Sequence, residues 1–209
     1  MAEDALPCVL GDAQRSALEA AYAEPPRAYH NFHHVDEVLR HYREVATGPG
    51  WMQPREVALA VLYHDAIYQP GRSDNESRSA RFAVEQLEQW QPQSGIDAQR
   101  VAYLIELTAR HGQFAPADFD GDRAPDDVRR FLDCDMAILG AKPAVFDAYD
   151  RGIAAEYHGT LPAWVFRLNR RRFLKALLAR ERIFLSDFFH SRLDAQARAN
   201  LRRAVNEKR

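Results

Sequence analysis

Apolar positions recur along this chain at intervals of three and four residues, the spacing of a helix with one buried face. Val35, Val38, Leu39 and Tyr42 form one stripe, Ala80, Ala83, Val84 and Leu87 a second, and Val101, Leu104, Ile105 and Leu107 a third. Helix breakers and caps set the bounds between them. Pro25-Pro26 ends a first helix over 12–24, Asn31 is placed to cap a second over 32–46, and Asp74 to cap a fourth over 75–90. Pro54 suits the first turn of the third, in which Val57, Leu59, Ala60, Val61, Leu62 and Tyr63 are apolar on every side. A helix of that kind sits at the centre of a fold. Residues 96–110 give a fifth helix, and 112–124, with Gly, Pro and Asp, a surface loop. Pro125, Pro143 and Pro162 each open a further helix, and 195–206 closes the chain. No run alternates with period two. The expected fold class is all-α.

The 209 residues, 46% hydrophobic and 28% charged, suit one soluble domain over 1–209, with 160–209 as C-terminal helices packed on the rest. Thirty acidic against 28 basic residues leave a net charge of -2. That balance argues against binding nucleic acid by bulk electrostatics. All basic residues but Lys142, Lys175 and Lys208 are Arg. Arg167 and the run Arg170, Arg171 and Arg172 spread around a helix, which reads as a solvated or salt-bridged face. Cys8 and Cys134 form no Cys-x-x-Cys, so a reducing compartment is expected. Residues 1–10 hold two acids and no base, unlike a secretory leader. The longest apolar run, 57–63, falls far short of the ~20 residues a bilayer requires. A cytoplasmic protein with no membrane partner is expected. Phe184, Leu185, Phe188 and Phe189 are either core or the surface of a homodimer.

The candidate chemistry collects in a few segments. Five of the eight histidines fall between His30 and His64. Arg27-Ala-Tyr29-His30-Asn31-Phe-His33-His34 precedes the second helix, and Tyr63-His64-Asp65-Ala-Ile-Tyr68 ends the central one. Asp74-Asn75-Glu76-Ser77-Arg78 follows, then His111, then Asp133-Cys134-Asp135. Imidazole and carboxylate together suit Mn, Fe, Co, Ni or Zn, and bundles build such sites from facing helices. Neighbours on a helix point about 100° apart, so His64 and Asp65 share an ion only near the bundle axis. Alone, that dipeptide also fits a helix-end histidine with a capping acid. The ordered set His34, His64-Asp65, Asp135 is more specific. Cys134, pointing away from its flanking acids, is assigned to packing.

These segments resemble the HD superfamily of metal-dependent phosphohydrolases, and within it the small predicted metal-dependent HD hydrolases. The matching patterns are Arg27 to His34, His64-Asp-x-x-Tyr68, Asp74-Asn-Glu-x-x-Ser-Ala80, and Asp133-x-Asp-x-x-x-Leu-Gly140. Tyr149, Ile153, Glu156 and Tyr157 add a further likeness, and the whole spans roughly 22–157. The resemblance implies an HD-type helical bundle in which His34, His64, Asp65 and Asp135 hold one divalent transition metal. His33 is the alternative to His34, and Asp133 the alternative or supporting partner to Asp135. The implied activity is hydrolysis of a nucleotide or other small phosphate ester by a metal-activated water, with Asp65 orienting the water. Nucleotide-hydrolysing members often carry Glu where Tyr68 stands here, so Asp74 or Glu76 is expected to take its catalytic part. Arg27, His30, Asn31, Tyr68, Arg78 and His111 are expected around the substrate. The alternatives are a non-catalytic nucleotide-binding module and a di-iron oxygenase, the latter drawing on His111 with Asp74 or Glu76.

Overall fold

The apolar run after Pro54 forms the innermost helix. The computed structural model describes residue 8 and residues 10–206, and in it this run is α3 (Pro54–Tyr63). Residues 57–63 are all at most 5% exposed. Helices α2 (Phe32–Thr47), α4 (Asn75–Trp90), α5 (Ala98–Leu107) and α6 (Pro125–Met136) pack directly around it. α1 (Asp12–Tyr22) lies against its C-terminal half, where Gln14 donates to the Tyr63 hydroxyl (3.0 Å) and the Tyr22 hydroxyl donates to the Leu62 carbonyl (3.1 Å). α7 (Pro143–Glu156), α8 (Ala163–Leu178) and α9 (Asp187–Asn206) follow, with α9 against α6 and the 3₁₀ turn Ala137–Gly140, and α8 against α9. The described residues are all-α. Their only bridge of strand type joins His158 and Leu161. None of their helices is long and apolar enough to cross a membrane. The reading of 1–10 falls almost wholly outside the described residues, as does Lys208.

Local chemistry accounts for most boundaries and for the departures from expectation. Asn31 caps α2 by accepting from the His33 amide at 2.9 Å, and Pro54, Pro125 and Pro143 each occupy a first turn. Asp74 does not cap α4 with its side chain, because Arg72 chelates its carboxylate at 2.7 and 2.6 Å. The fifth helix starts later than 96, since Asp97 accepts from the Arg100 amide (2.9 Å) and so fixes Ala98 as the first helical residue. It ends in the 3₁₀ turn Thr108–Arg110. The loop 112–124 contains a 3₁₀ turn, Pro116–Phe119, whose Phe119 is buried.

The last helix begins at Asp187 rather than 195. Asp133 sets its start by accepting from the amides of Leu185 and Ser186, both at 2.7 Å, and from the Ser186 hydroxyl at 2.6 Å. Phe184, Leu185 and Phe189 are buried and Phe188 packs against the same core, so this segment belongs to the interior. Gly140 lets α9 cross closely: a Cβ there would stand 2.6 Å from Leu193 Cβ and 3.0 Å from its carbonyl oxygen. At Gly152 a Cβ would meet Tyr29 Cβ at 3.1 Å, so this glycine admits α7 beside the segment that precedes α2.

Candidate metal centre

His34 lies in the first turn of α2, His64 caps the C-terminus of α3, Asp65 follows in the turn, and Asp135 lies in the last turn of α6. His64 keeps helical backbone angles and its amide bonds the Ala60 carbonyl at 2.9 Å, so it and Asp65 close the helical path, and their side chains come together only at their tips. His34 Nε2 lies 3.1 Å from His64 Nε2, 3.2 Å from Asp135 Oδ1 and 3.6 Å from Asp65 Oδ2. His64 Nε2 lies 3.2 Å from Asp65 Oδ2 and 3.7 Å from Asp135 Oδ1. Two ligands about 2.0–2.1 Å from a tetrahedral zinc stand roughly 3.3 Å apart, so the spacing fits a first-row divalent ion. Among the described residues, His34, His64 and Asp135 form a group that could hold a metal ion.

The surroundings suit that donor set. His64 Nδ1 donates to the Val61 carbonyl at 2.8 Å, which leaves Nε2 of the neutral ring unprotonated and aimed into the centre. Two helix C-termini, those of α3 and α6, meet there, and their carbonyl ends favour a cation. Burial alone would raise both carboxyls. For Asp65, the imidazoles of His64, His30 and His34 outweigh it; for Asp135, those of His111, His34 and His64 do. Both carboxyls are held well below the ordinary range. Burial opposes a charge on His64, but Asp65 and Asp135 prevail and its pKa rises well above the usual value.

The two open alternatives point elsewhere. His33 is exposed, and Asp133 is engaged with Leu185 and Ser186 at the start of α9. Cys134, between the two acids, is buried in the core. Arg27 turns from its expected place at a substrate to three main-chain carbonyls, those of His30 (2.6 Å), Asp65 (2.8 Å) and Ala66 (2.8 Å). It ties the segment before α2 to the turn after α3. Asn31 is likewise taken up by its cap and by the Arg27 and Ala28 carbonyls, both at 3.4 Å. Asp74 faces outward in its pair with Arg72. Glu76 is half-buried and its charge helps to raise the pKa of His111. Arg78, also half-buried, makes no ion pair among the described residues. His111 Nδ1 stands 2.9 Å from Asp135 Oδ2, on the far side of the carboxylate from His34.

Asn75 and Ser79 have structural parts that the motif alone did not reveal. Asn75 bonds both the amide and the carbonyl of Gln69 (3.0 Å each), and Ser79 does the same for Ile67 (3.0 and 3.1 Å). Together they fix the loop after Asp65. Glu156 is the larger omission. Fully buried, it accepts from the amides of Tyr29 (2.7 Å) and His30 (2.9 Å) on one oxygen and meets His30 Nδ1 at 2.6 Å with the other. Burial opposes its charge, but His30 and the two amides outweigh that and its pKa is lowered. The His30 ring stacks on Tyr68 at 4.1 Å and lies 6.0 Å from the His34 ring. Sequence likeness marked Glu156 without a role, because its partner lies 126 residues away. Compared with known proteins, the chain matches no family model, no curated protein and no solved structure.

Proposed function

We propose that this chain is an HD-type helical bundle that hydrolyses a nucleotide or another small phosphate ester with one divalent transition metal. The observation that carries the reading is the convergence of His34, His64 and Asp135, from three helix ends, at metal-ligand spacing, with Asp65 Oδ2 3.2 Å from His64 Nε2. A divalent ion there would supply Lewis acidity and a water acidic enough to lose its proton near neutral pH. The protein's own groups do the rest. Asp65, 16% exposed, has a carboxylate able to orient a water at the edge of the centre.

His30 supplies the proton-transfer group. Glu156 holds Nδ1–H, so Nε2 of the neutral ring is a base, and of the charged ring an acid, for an attacking or departing oxygen. Tyr68 backs the ring. Burial and the nearby Glu156 carboxylate push its phenol far up, so it stays a neutral donor. This dyad does the work first expected of Asp74 or Glu76, and the residue at 68 need not be acidic.

Elemental analysis of protein purified without chelator or column nickel tests the centre. About one Mn, Fe, Co, Ni or Zn per chain, lost in Asp65→Ala, supports the reading. Phosphate release from a panel of nucleotides and monoesters then tests the activity, and no release with any metal overturns it in favour of a nucleotide-binding module. One observation favours a two-iron oxygenase as the second reading. Asp135 offers one oxygen to His34 and the other to His111, as a bridging carboxylate would. Two irons per chain select it.

A further inference from the structure

Helix α8 leaves its N-terminal turns without a core partner. Its buried residues, Leu174 and Leu177, both lie in the C-terminal half. Ahead of them Trp164 is 66% exposed and Leu168 42% exposed. At about 100° per residue, Trp164, Leu168, Arg171, Arg172 and Lys175 fall within an arc of about 100°, with Arg167 at its border. The helix has no acidic residue. Arg170 bonds Asp150 at 3.0 Å and lies over the Tyr149 ring. Arg167, Arg171, Arg172 and Lys175 make no ion pair and no side-chain hydrogen bond among the described residues. In a chain of net charge -2, they form a concentrated cationic face beside two exposed apolar side chains.

That charge selects the occupant. A second copy packed face to face on a two-fold axis would set four cations against four. The partner is therefore anionic. The face is the exposed side of a single helix that packs on α9, so a flat surface suits it better than a strand or a peptide. Arginine binds phosphates through paired donors, tryptophan prefers the headgroup layer, and four or more cations on such a helix suffice for reversible attraction to anionic lipid. We propose that the outer face of α8 docks this protein on an anionic membrane surface, with Trp164 and Leu168 set among the headgroups. The docking is peripheral and involves no spanning helix.

Flotation of the full chain with phosphatidylcholine vesicles, with and without about 30% phosphatidylglycerol, tests this directly. Binding is expected only with the anionic lipid, and it should fall at least about tenfold for Arg171→Glu/Arg172→Glu and in 0.5 M-range salt, roughly a Debye length of 4–5 Å. Tryptophan emission should shift to the blue on binding, and Trp164→Phe should lose that shift. All variants alter exposed positions, so unchanged circular dichroism and metal content confirm that the fold is intact. Equal binding to both vesicles, or none, overturns the proposal. Binding of a single-stranded oligonucleotide without vesicle binding overturns it in favour of nucleic acid, and a dimer dispersed by Trp164→Ala without vesicle binding does so in favour of self-association.

Discussion

Replacing Glu156 separates what this buried carboxylate does for the fold from what it does for chemistry. Glu156→Ala leaves two buried amides and the His30 Nδ1–H without an acceptor. At about 1–3 kcal/mol for each unpaired group, discounted for relaxation, the loss is about 3–6 kcal/mol, enough to threaten folding. Glu156→Gln keeps the shape. Its carbonyl oxygen can still accept from the Tyr29 and His30 amides, and only the charge-assisted bond to the ring is weakened, at about 1–2 kcal/mol. The amide then donates toward Nδ1, which must become an acceptor and move the ring proton to Nε2. A neutral His30 in that tautomer presents no lone pair to the reaction. On the proposed function, turnover of the glutamine variant should fall about 10²–10⁴-fold with metal content unchanged. Nitrogen-15 shifts of the imidazole would report the tautomer, and phosphate release the rate. Turnover within twofold of wild type, with the tautomer inverted, would refute the assignment of His30 to proton transfer. The charge of Glu156 also sets an acid limit. Because its folded pKa is lowered, its contribution to stability is complete above its unfolded pKa and is lost as pH falls through the folded one.

Asp133→Ala should cost about 2–4 kcal/mol by stranding the Leu185 and Ser186 amides yet leave metal stoichiometry intact, whereas Asp135→Ala should abolish metal binding; thermal melts with elemental analysis distinguish them. Gly140→Ala should push Leu193 away and lower stability by about 1–3 kcal/mol, a fall in Tm of about 2–12 °C for a chain of this size, while a melt identical to wild type would disprove close packing there. Burial and Arg40 push the pKa of His41 down to about 4. The unfolded chain therefore binds more protons between about 4 and 6.5, so stability should fall through that window as pH drops, by up to about 3 kcal/mol. Denaturant titrations of His41→Gln should show a flatter acid limb than wild type.

Much of the fold was legible because its signals are local. Stripes at helical spacing, Pro54, Pro125 and Pro143 in first turns, and Asn31 as a cap depend on residues close in sequence. The misplaced boundaries have mixed causes: at the fifth helix the cap is the nearby Asp97, at the last one the cause is partly distant. The start of α9 depends on Asp133, about fifty residues earlier, as well as on a local signal overlooked in the sequence, Ser186, whose hydroxyl accepts from the Phe189 amide at 3.4 Å. The same holds at the centre. His34, His64, Asp65 and Asp135 could be chosen by residue type and order, while the uses of Arg27 and Glu156 depend on which carbonyls and amides the tertiary structure brings to them. Arg27 illustrates the difficulty: a conspicuous cation beside a candidate site looks like a ligand for phosphate, yet its donors meet backbone oxygens on two separate segments.

That clamp also bears on how a dipeptide can bring two polar side chains to one centre. His64 keeps helical backbone angles, so it and Asp65 leave the chain about 100° apart and meet only at their tips. The turn that follows is held from two sides. Arg27 takes the Asp65 and Ala66 carbonyls, while Ser79 and Asn75 from α4 take the polar groups of Ile67 and Gln69. His64 is fixed separately through Val61. The chain can therefore leave the helix after this pair without leaving its backbone unsatisfied, and the His64 and Asp65 side chains meet within 3.2 Å. The polar residues flanking the His-Asp pair are, on this geometry, what fixes the turn behind its two side chains, and on the proposed function they let the pair act as one chelating unit.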